Sequence, residues 1–201
     1  MAPLPSLESI ASTELDSPLA LTLGSLLEPS PVLTSILVPQ LQQKLHNSSP
    51  LQSYAQLIDL AIAKVQTWDT DLQAQFISGH PRIGETKNLS TFSANEQGAG
   101  NPVAPTPPEV LARLAHLNAY YERRYPKLVY IIFVNGRSRA EVVRVLEDHL
   151  GLEHSLSKDY PSLDSAVPVD IGSKEWLDEL ERAVLDVGLI AKSRLKSLGV
   201  E

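Results

Sequence analysis

A capped amphipathic helix and the apolar run behind it occupy residues 106–134, TPPEVLARLAHLNAYYERRYPKLVYIIFV. A capping box of Thr106 and Glu109 predicts the start of the helix, and Tyr125-Pro126 predicts its end. Apolar residues between them recur at helical spacing: Val110, Leu114, Leu117 and Tyr121. Residues 128–134 form the only strong strand-like run, and a single strand cannot make a sheet. We therefore expect this run to be a buried extended connector.

Helical signals continue on both sides of this region. In the N-terminal region we predict short helices cut by prolines, near 7–15, 19–27 and 31–46, with a new turn starting at Pro39. Further helices are predicted to start at Ser49-Pro50, at Asp69 or Thr70, and at a capping box of Ser93 and Glu96. The last two are predicted from a capping box of Ser138 and Glu141 to Gly151, and from a cap at Ser173. Residues 153–172 carry two prolines without any period, which indicates a long loop insertion. The two tryptophans, Trp68 and Trp176, are expected on helices and in the core. The fold predicted for residues 1–201 is all-α, a compact multi-helix bundle-like single domain with one buried extended segment.

Composition excludes several classes of function. The 201 residues include no cysteine, which excludes disulfides, thiolate metal sites and a cysteine nucleophile. With 17 Lys+Arg against 24 Asp+Glu and a net charge of −7, general nucleic-acid binding is not expected. The histidines show no metal-ligand spacing, so we expect no metal. No apolar run reaches membrane-spanning length, so we expect no membrane association.

Three segments depart from an ordinary helical pattern. The first is Ser78–Gly84, where His80 stands between Gly79 and Pro81 after a helix end. Limited backbone freedom suits a positioned acid or base, but the spacing alone favours a ring that caps the carbonyls of the preceding helix.

The second segment holds Ser93, Glu96 and Gln97, where Glu96 either completes a capping box or acts in catalysis. The third is Asn135–Arg139, which is either a solvated basic turn with a cap or a place where backbone groups bind a flat polar ligand. Arg194 on the last helix is either a surface residue or the partner of a carboxylate.

Taken in order, these pieces resemble the 2-oxo-4-hydroxy-4-carboxy-5-ureidoimidazoline (OHCU) decarboxylase family. They are GHPRIG at 79–84, S-x-x-E-Q-x-A-G at 93–100, a helix ending in Tyr-Pro, an apolar run into NGRS at 135–138, and a later helix with Arg194-Leu195. The order spans roughly residues 50–200.

The resemblance implies an all-α decarboxylase that needs no cofactor or metal, often a homodimer, which converts OHCU to (S)-allantoin and CO2 in urate degradation. It implies His80 and Glu96 as the catalytic pair. The implied substrate-binding residues are Pro81, Ser93, Gln97, Ile131, Ile132, Phe133, Val134, Asn135 and Arg194. His80 would exchange a proton with the substrate hydroxyl or the developing enolate, and Glu96 would orient His80 or handle the proton that sets chirality.

Two other functions stay open from the residues alone: a non-catalytic helical interaction module, and a paralogue that acts on another ureido acid. The N-terminal residues lack the charge pattern of a secretory signal. Residues Gly199-Val200-Glu201 are not a peroxisomal S-K-L address, so the cytoplasm is favoured over the peroxisome.

Overall fold

The computed structural model describes residues 3–10, 18–87, 89–96 and 106–200. Within these residues the regular structure is helical and no strand occurs, so the predicted all-α class is confirmed. The chain divides into two compact units, one made of Met1–His80 with Glu181–Glu201 and the other of Pro81–Leu180. We refer to them as the first and second unit.

Among the described residues, the α-helices of the first unit lie before and after a π-helical segment in the chain. They are α1 (Leu7–Ile10), α2 (Pro18–Leu27), α3 (Val38–His46), α4 (Tyr54–Val65), α5 (Thr70–Ser78) and the greater part of α9 (Lys174–Leu198). The last helix packs against α4, because a Cβ added at Gly188 would lie 3.0 Å from Ile62 and the Lys192 ammonium lies 2.6 Å from the Asp59 carboxylate.

Two helix starts in the first unit differ from the sequence prediction. Pro39 does not begin a new helix, since a π-helical segment, Leu33–Leu37, joins the turn at Pro31 to α3 without a break. The wider π turn accommodates a proline that has no N–H to donate. Likewise α4 begins after Ser53 rather than at Ser49-Pro50, because the Ser53 hydroxyl accepts a hydrogen bond from the Gln56 N–H at 3.1 Å.

The second unit contains α6 (Thr91–Glu96), α7 (Pro108–Arg124), α8 (Arg139–Leu150) and the first turns of α9. The capping box of Ser138 and Glu141 and the left-handed Gly151 bound α8 as predicted. For α7 the capping box is wrong: Pro107 is the N-cap without a side-chain bond, and the Thr106 hydroxyl accepts a hydrogen bond from Arg139 instead.

The run at 128–134 forms neither a helix nor a strand and connects α7 to α8, as expected of a connector. Its first four residues are buried and the next three are half-buried. Trp176 is fully buried and donates to the Pro126 carbonyl at 3.0 Å, whereas Trp68 lies in the turn between α4 and α5 and is only half-buried.

Residues 153–172 contain no regular structure except a 3-10 turn at Leu163–Ser165. This loop is held to α7 by several bonds. The Arg113 guanidinium donates to the carbonyls of Ser157 and Tyr160, and His116 contacts the carbonyl of Pro161 at 2.8 Å. Arg113 also forms a fully buried ion pair of 2.7 Å with Glu147 on α8.

No helix among the described residues is long and apolar enough to cross a membrane.

Candidate functional site

The backbone at His80 is fixed by a tight turn at the end of α5. Asp69 caps the start of this helix by accepting from the Leu72 N–H at 2.9 Å, as predicted. At its end the His80 N–H donates to the Ile77 carbonyl at 3.0 Å. A Cβ atom added at Gly79 would lie 2.8 Å from the Cβ of Ser30, closer than real Cβ atoms approach one another. The glycine therefore lets the His80 turn pack directly against the segment that follows α2.

The His80 ring is buried, with 6% of the residue exposed. Neither ring nitrogen has a hydrogen-bond partner among the described residues, so the interpretation of this ring as a helix cap is wrong. The Phe76 ring meets it edge-on with the ring centroids 6.3 Å apart. Because an unpaired buried polar group costs stability, such a ring in a native fold points to a function that uses its nitrogens.

A buried ion pair of Glu28 and Arg194 belongs to the same unit as His80. The Arg194 Nη2 lies 2.7 Å from the Glu28 Oε1, and the Nη1 donates to the carbonyls of Ser25 and Leu26 at 3.2 Å each. These carbonyls lie in the last turn of α2, where the helix dipole favours a cation. Arg194 is 1% exposed, so the interpretation of this residue as a surface arginine is wrong.

The electrostatics of His80 follow from this arrangement. Burial is the largest effect and, together with the positive charge of Arg194, lowers its pKa from 6.5 to about 3, while the negative charge of Glu28 acts in the opposite direction. The imidazole is therefore neutral at physiological pH. A neutral imidazole accepts a proton at one nitrogen and donates from the other.

Glu28 is a residue that the sequence analysis missed. It is the only charged residue between Asp16 and Lys44, which was the available signal. It also adopts a left-handed backbone conformation with a φ of 64°, which costs a residue other than glycine roughly 1–2 kcal/mol. A buried carboxylate on a strained backbone is not explained by local propensity, whereas its pairing with Arg194 does explain it.

In the second unit, the rest of the GHPRIG motif, residues 81–84, forms a loop that is bonded to and packed on α7. Pro81 is half-buried. The Arg82 guanidinium binds the Glu122 carboxylate on α7, and the Ile83 carbonyl accepts from the Asn118 side chain at 2.9 Å. A Cβ at Gly84 would lie 2.9 Å from the Leu114 side chain, so this glycine permits close packing on α7.

The predicted capping box at Ser93 is wrong. α6 starts earlier, since the Ser90 hydroxyl accepts from the Ser93 N–H at 3.1 Å and the Ser90 carbonyl accepts from the Ala94 N–H at 2.9 Å. Ser93 itself is inside the helix and buried. Glu96 is the last residue of α6, but its side chain and Gln97 lie outside the described residues. The capping role of Glu96 falls away, and its catalytic role stays a prediction.

The segment predicted to bind a ligand through its backbone continues into an arginine-stabilised turn. The Arg137 guanidinium donates to the carbonyls of Phe133 and Val134 at 2.9 Å each, and Asn135 is exposed with a φ of 49°. Arg139 is buried and donates to the Glu85 carbonyl at 3.0 Å. The exposed turn and the Ser138 cap of the first interpretation are present, but Arg139 is buried rather than solvated.

Ile131 is buried, and Ile132, Phe133 and Val134 are half-buried. Their contact with a ligand stays a prediction.

Among the described residues, no group of three or more His, Asp or Glu side chains is arranged to hold a metal ion. Three other histidines each contact a different oxygen group. His116 contacts the Pro161 carbonyl, His149 lies 3.3 Å from the Glu179 carboxylate, and His154 lies 2.7 Å from the Asp148 carboxylate.

Comparison with known families settles the relationship that the motifs indicated. The family model described as OHCU decarboxylase matches residues 16–156, more than half of the chain. The chain belongs to this family. The OHCU decarboxylase match contains Glu28, His80, Glu96 and residues 131–135, and it ends before Arg194. No curated protein matches the chain.

Proposed function

We propose that this chain catalyses the decarboxylation of OHCU to (S)-allantoin, a step of urate degradation, without a cofactor or metal. Membership of the OHCU decarboxylase family supports the reaction class. The single observation that supports catalysis by this chain is His80, a buried neutral imidazole with both nitrogens unpaired among the described residues. An interaction module would have no use for such a ring.

The reaction needs a positioned proton carrier and little else. When CO2 leaves, its bonding electrons form a double bond to the adjacent ring carbon, and the electrons of that carbon's C=N bond move to the nitrogen, which takes a proton from solvent. The hydroxyl on the carbon that lost CO2 then gives up its proton and becomes a carbonyl, while the adjacent carbon takes a proton and becomes chiral. The enzyme must orient the carboxylate out of the ring plane and deliver a proton to one face only. His80 would take the hydroxyl proton as a neutral base, and either His80 or Glu96 would return a proton to the carbon that becomes chiral.

The other proposed contacts assign the remaining groups of the substrate. Arg194 would bind the carboxylate, because guanidinium and carboxylate pair well in a buried site. Ser93 and Gln97 would hold the ureido and ring groups, and Pro81 would also contact the ligand. The backbone from Ile131 to Asn135 would bond to the ring amides.

Circular dichroism tests the proposal directly. Urate is converted by urate oxidase and hydroxyisourate hydrolase, which leave OHCU to decay slowly to racemic allantoin. We expect the protein to speed the loss of the OHCU signal and to leave optically active (S)-allantoin. Unchanged decay in the presence of folded protein would refute the proposal.

His80→Ala should reduce this rate by about 100-fold or more, because positioned acid or base groups contribute roughly 10²–10⁴-fold. The matched control is His46→Ala, since His46 is an exposed histidine at the end of α3. A folded His80→Ala with the wild-type rate would remove His80 from the mechanism.

A further inference from the structure

The Glu28 carboxylate lies at a junction within the first unit. The chain leaves α2 at Leu27, passes through Glu28 in a left-handed conformation, and reaches Ser30, on which the His80 turn packs through Gly79. On its other side, the carboxylate binds Arg194 at 2.7 Å. One residue therefore joins the backbone beside His80 to a guanidinium that lies 166 residues away in the chain.

The side chain at this position is not required by the turn. A left-handed residue after a helix is usually glycine or asparagine, and a buried carboxylate is unfavourable unless it is paired. Glu28 is 4% exposed and its partner Arg194 is 1% exposed, so both charges are withdrawn from water. Without Glu28 the guanidinium would lose its buried carboxylate partner, while its bonds of 3.2 Å to the Ser25 and Leu26 carbonyls are longer than the 2.7 Å ion pair.

We propose that Glu28 is a positioning residue for the proposed reaction, and that its buried ion pair holds the Arg194 guanidinium beside the His80 ring. The inference rests on the proposed function, because it assigns Glu28 a role in the work of His80. Glu28 acts through Arg194 and touches no reacting atom. A substrate carboxylate then meets a guanidinium that is already oriented, whereas the negative charge of Glu28 itself weakens the attraction for that carboxylate.

The kinetic test compares two glutamates in matched ion pairs. Glu28→Gln keeps the size of the side chain and removes its charge. We expect kcat to fall at least tenfold, while KM stays the same or falls because a repelling charge has gone. Glu147→Gln is the control, since Glu147 forms an equally buried pair of 2.7 Å with Arg113 in the second unit. We expect Glu147→Gln to lower stability and to leave kcat within twofold of wild type.

Equal losses of kcat in the two variants would reduce Glu28 to a structural residue and overturn the proposal. A conservative replacement adds a second arm. Glu28→Asp retains the carboxylate and accepts a left-handed backbone more readily, so its kcat should lie between those of Glu28→Gln and wild type. If Glu28→Gln does not fold, the kinetics of Glu28→Asp test the proposal. A folded Glu28→Asp with the kcat and KM of wild type would contradict a positioning role for the longer glutamate side chain.

A nuclear magnetic resonance measurement separates this inference from the proposed function. The ring signals of His80 are assigned by their absence in His80→Ala. Glu28→Gln should move these signals and Glu147→Gln should not, whether or not the protein decarboxylates OHCU. If the signals move but the wild-type protein does not decarboxylate OHCU, the positioning of Arg194 by Glu28 is supported and only the proposed reaction is refuted. Unmoved His80 signals in folded Glu28→Gln would overturn the positioning role.

Discussion

The neutrality of His80 predicts a specific loss of stability in mild acid. Burial and the Arg194 charge lower the pKa of the folded-state imidazole from 6.5 to about 3. The unfolded chain therefore binds a proton below pH 6.5 that the folded chain does not bind. The stability contributed by this group is fully present above pH 6.5 and is lost as the pH falls towards 3.

The size of the effect follows from the unfolded-state value. Each pKa unit corresponds to about 1.36 kcal/mol. Between about pH 7.5 and pH 5 the loss is set by the 1.5 units that separate 6.5 from 5, which gives about 2 kcal/mol. Any folded-state pKa well below 5 gives the same figure, so the prediction depends on burial rather than on the depth of the shift.

Urea unfolding followed by tryptophan fluorescence measures this loss at the two pH values. His80→Gln removes the titrating group, so its free energy of unfolding should decline about 2 kcal/mol less than that of wild type over this interval. Carboxylates and the other histidines contribute to both proteins and cancel in the difference. His46→Gln, at an exposed histidine, should decline as wild type does. Identical pH dependence of His80→Gln and wild type would refute the assignment of a buried neutral imidazole.

Two further perturbations test the packing around the site and the loop. Gly79→Ala should destabilise the protein and slow OHCU turnover, because the new Cβ would lie 2.8 Å from the Cβ of Ser30. Adding Ser30→Gly should restore both the melting temperature measured by circular dichroism and the turnover rate, and a double variant without recovery would contradict this contact. Arg113→Ala should lower the free energy of unfolding by about 3–5 kcal/mol, because Glu147 would stay buried without its ion-pair partner. Because Arg113 also binds the loop carbonyls, limited proteolysis should cut within residues 155–161 faster than in wild type, and an unchanged cleavage rate would show that Arg113 does not anchor the loop.

Helix α8 shows what local chemistry makes predictable. Its first residues form a capping box and its C-terminal glycine takes a left-handed conformation, so both ends are stabilised by residues within a few positions. Asp69 at the start of α5 is a similar case. The prediction of α6 failed at its start because two serines three residues apart offered equivalent caps, and the structure uses Ser90.

In the candidate site, too, the features that depend on neighbouring residues were predictable and those that depend on distant residues were not. The motif at 79–84 singled out His80 from its neighbours in the sequence alone. The sequence could not decide whether the His80 ring caps the helix or stays unpaired. That decision needed the burial of the ring, to which other elements of the first unit contribute. Glu28 was not identified, because nothing near it in the sequence reveals a partner 166 residues away.

The sequence by itself determined the helical class, most helix positions and the order of motifs that indicated the family, because periodicity, caps and motifs are properties of neighbouring residues. Tertiary structure decided which charges are buried and what they bind. It decided between the two interpretations of Arg194 by burying it as the partner of Glu28, and it left the His80 nitrogens unpaired among the described residues. Burial and long-range pairing depend on how distant segments pack, and the charge state of a buried side chain such as the His80 ring follows from that packing.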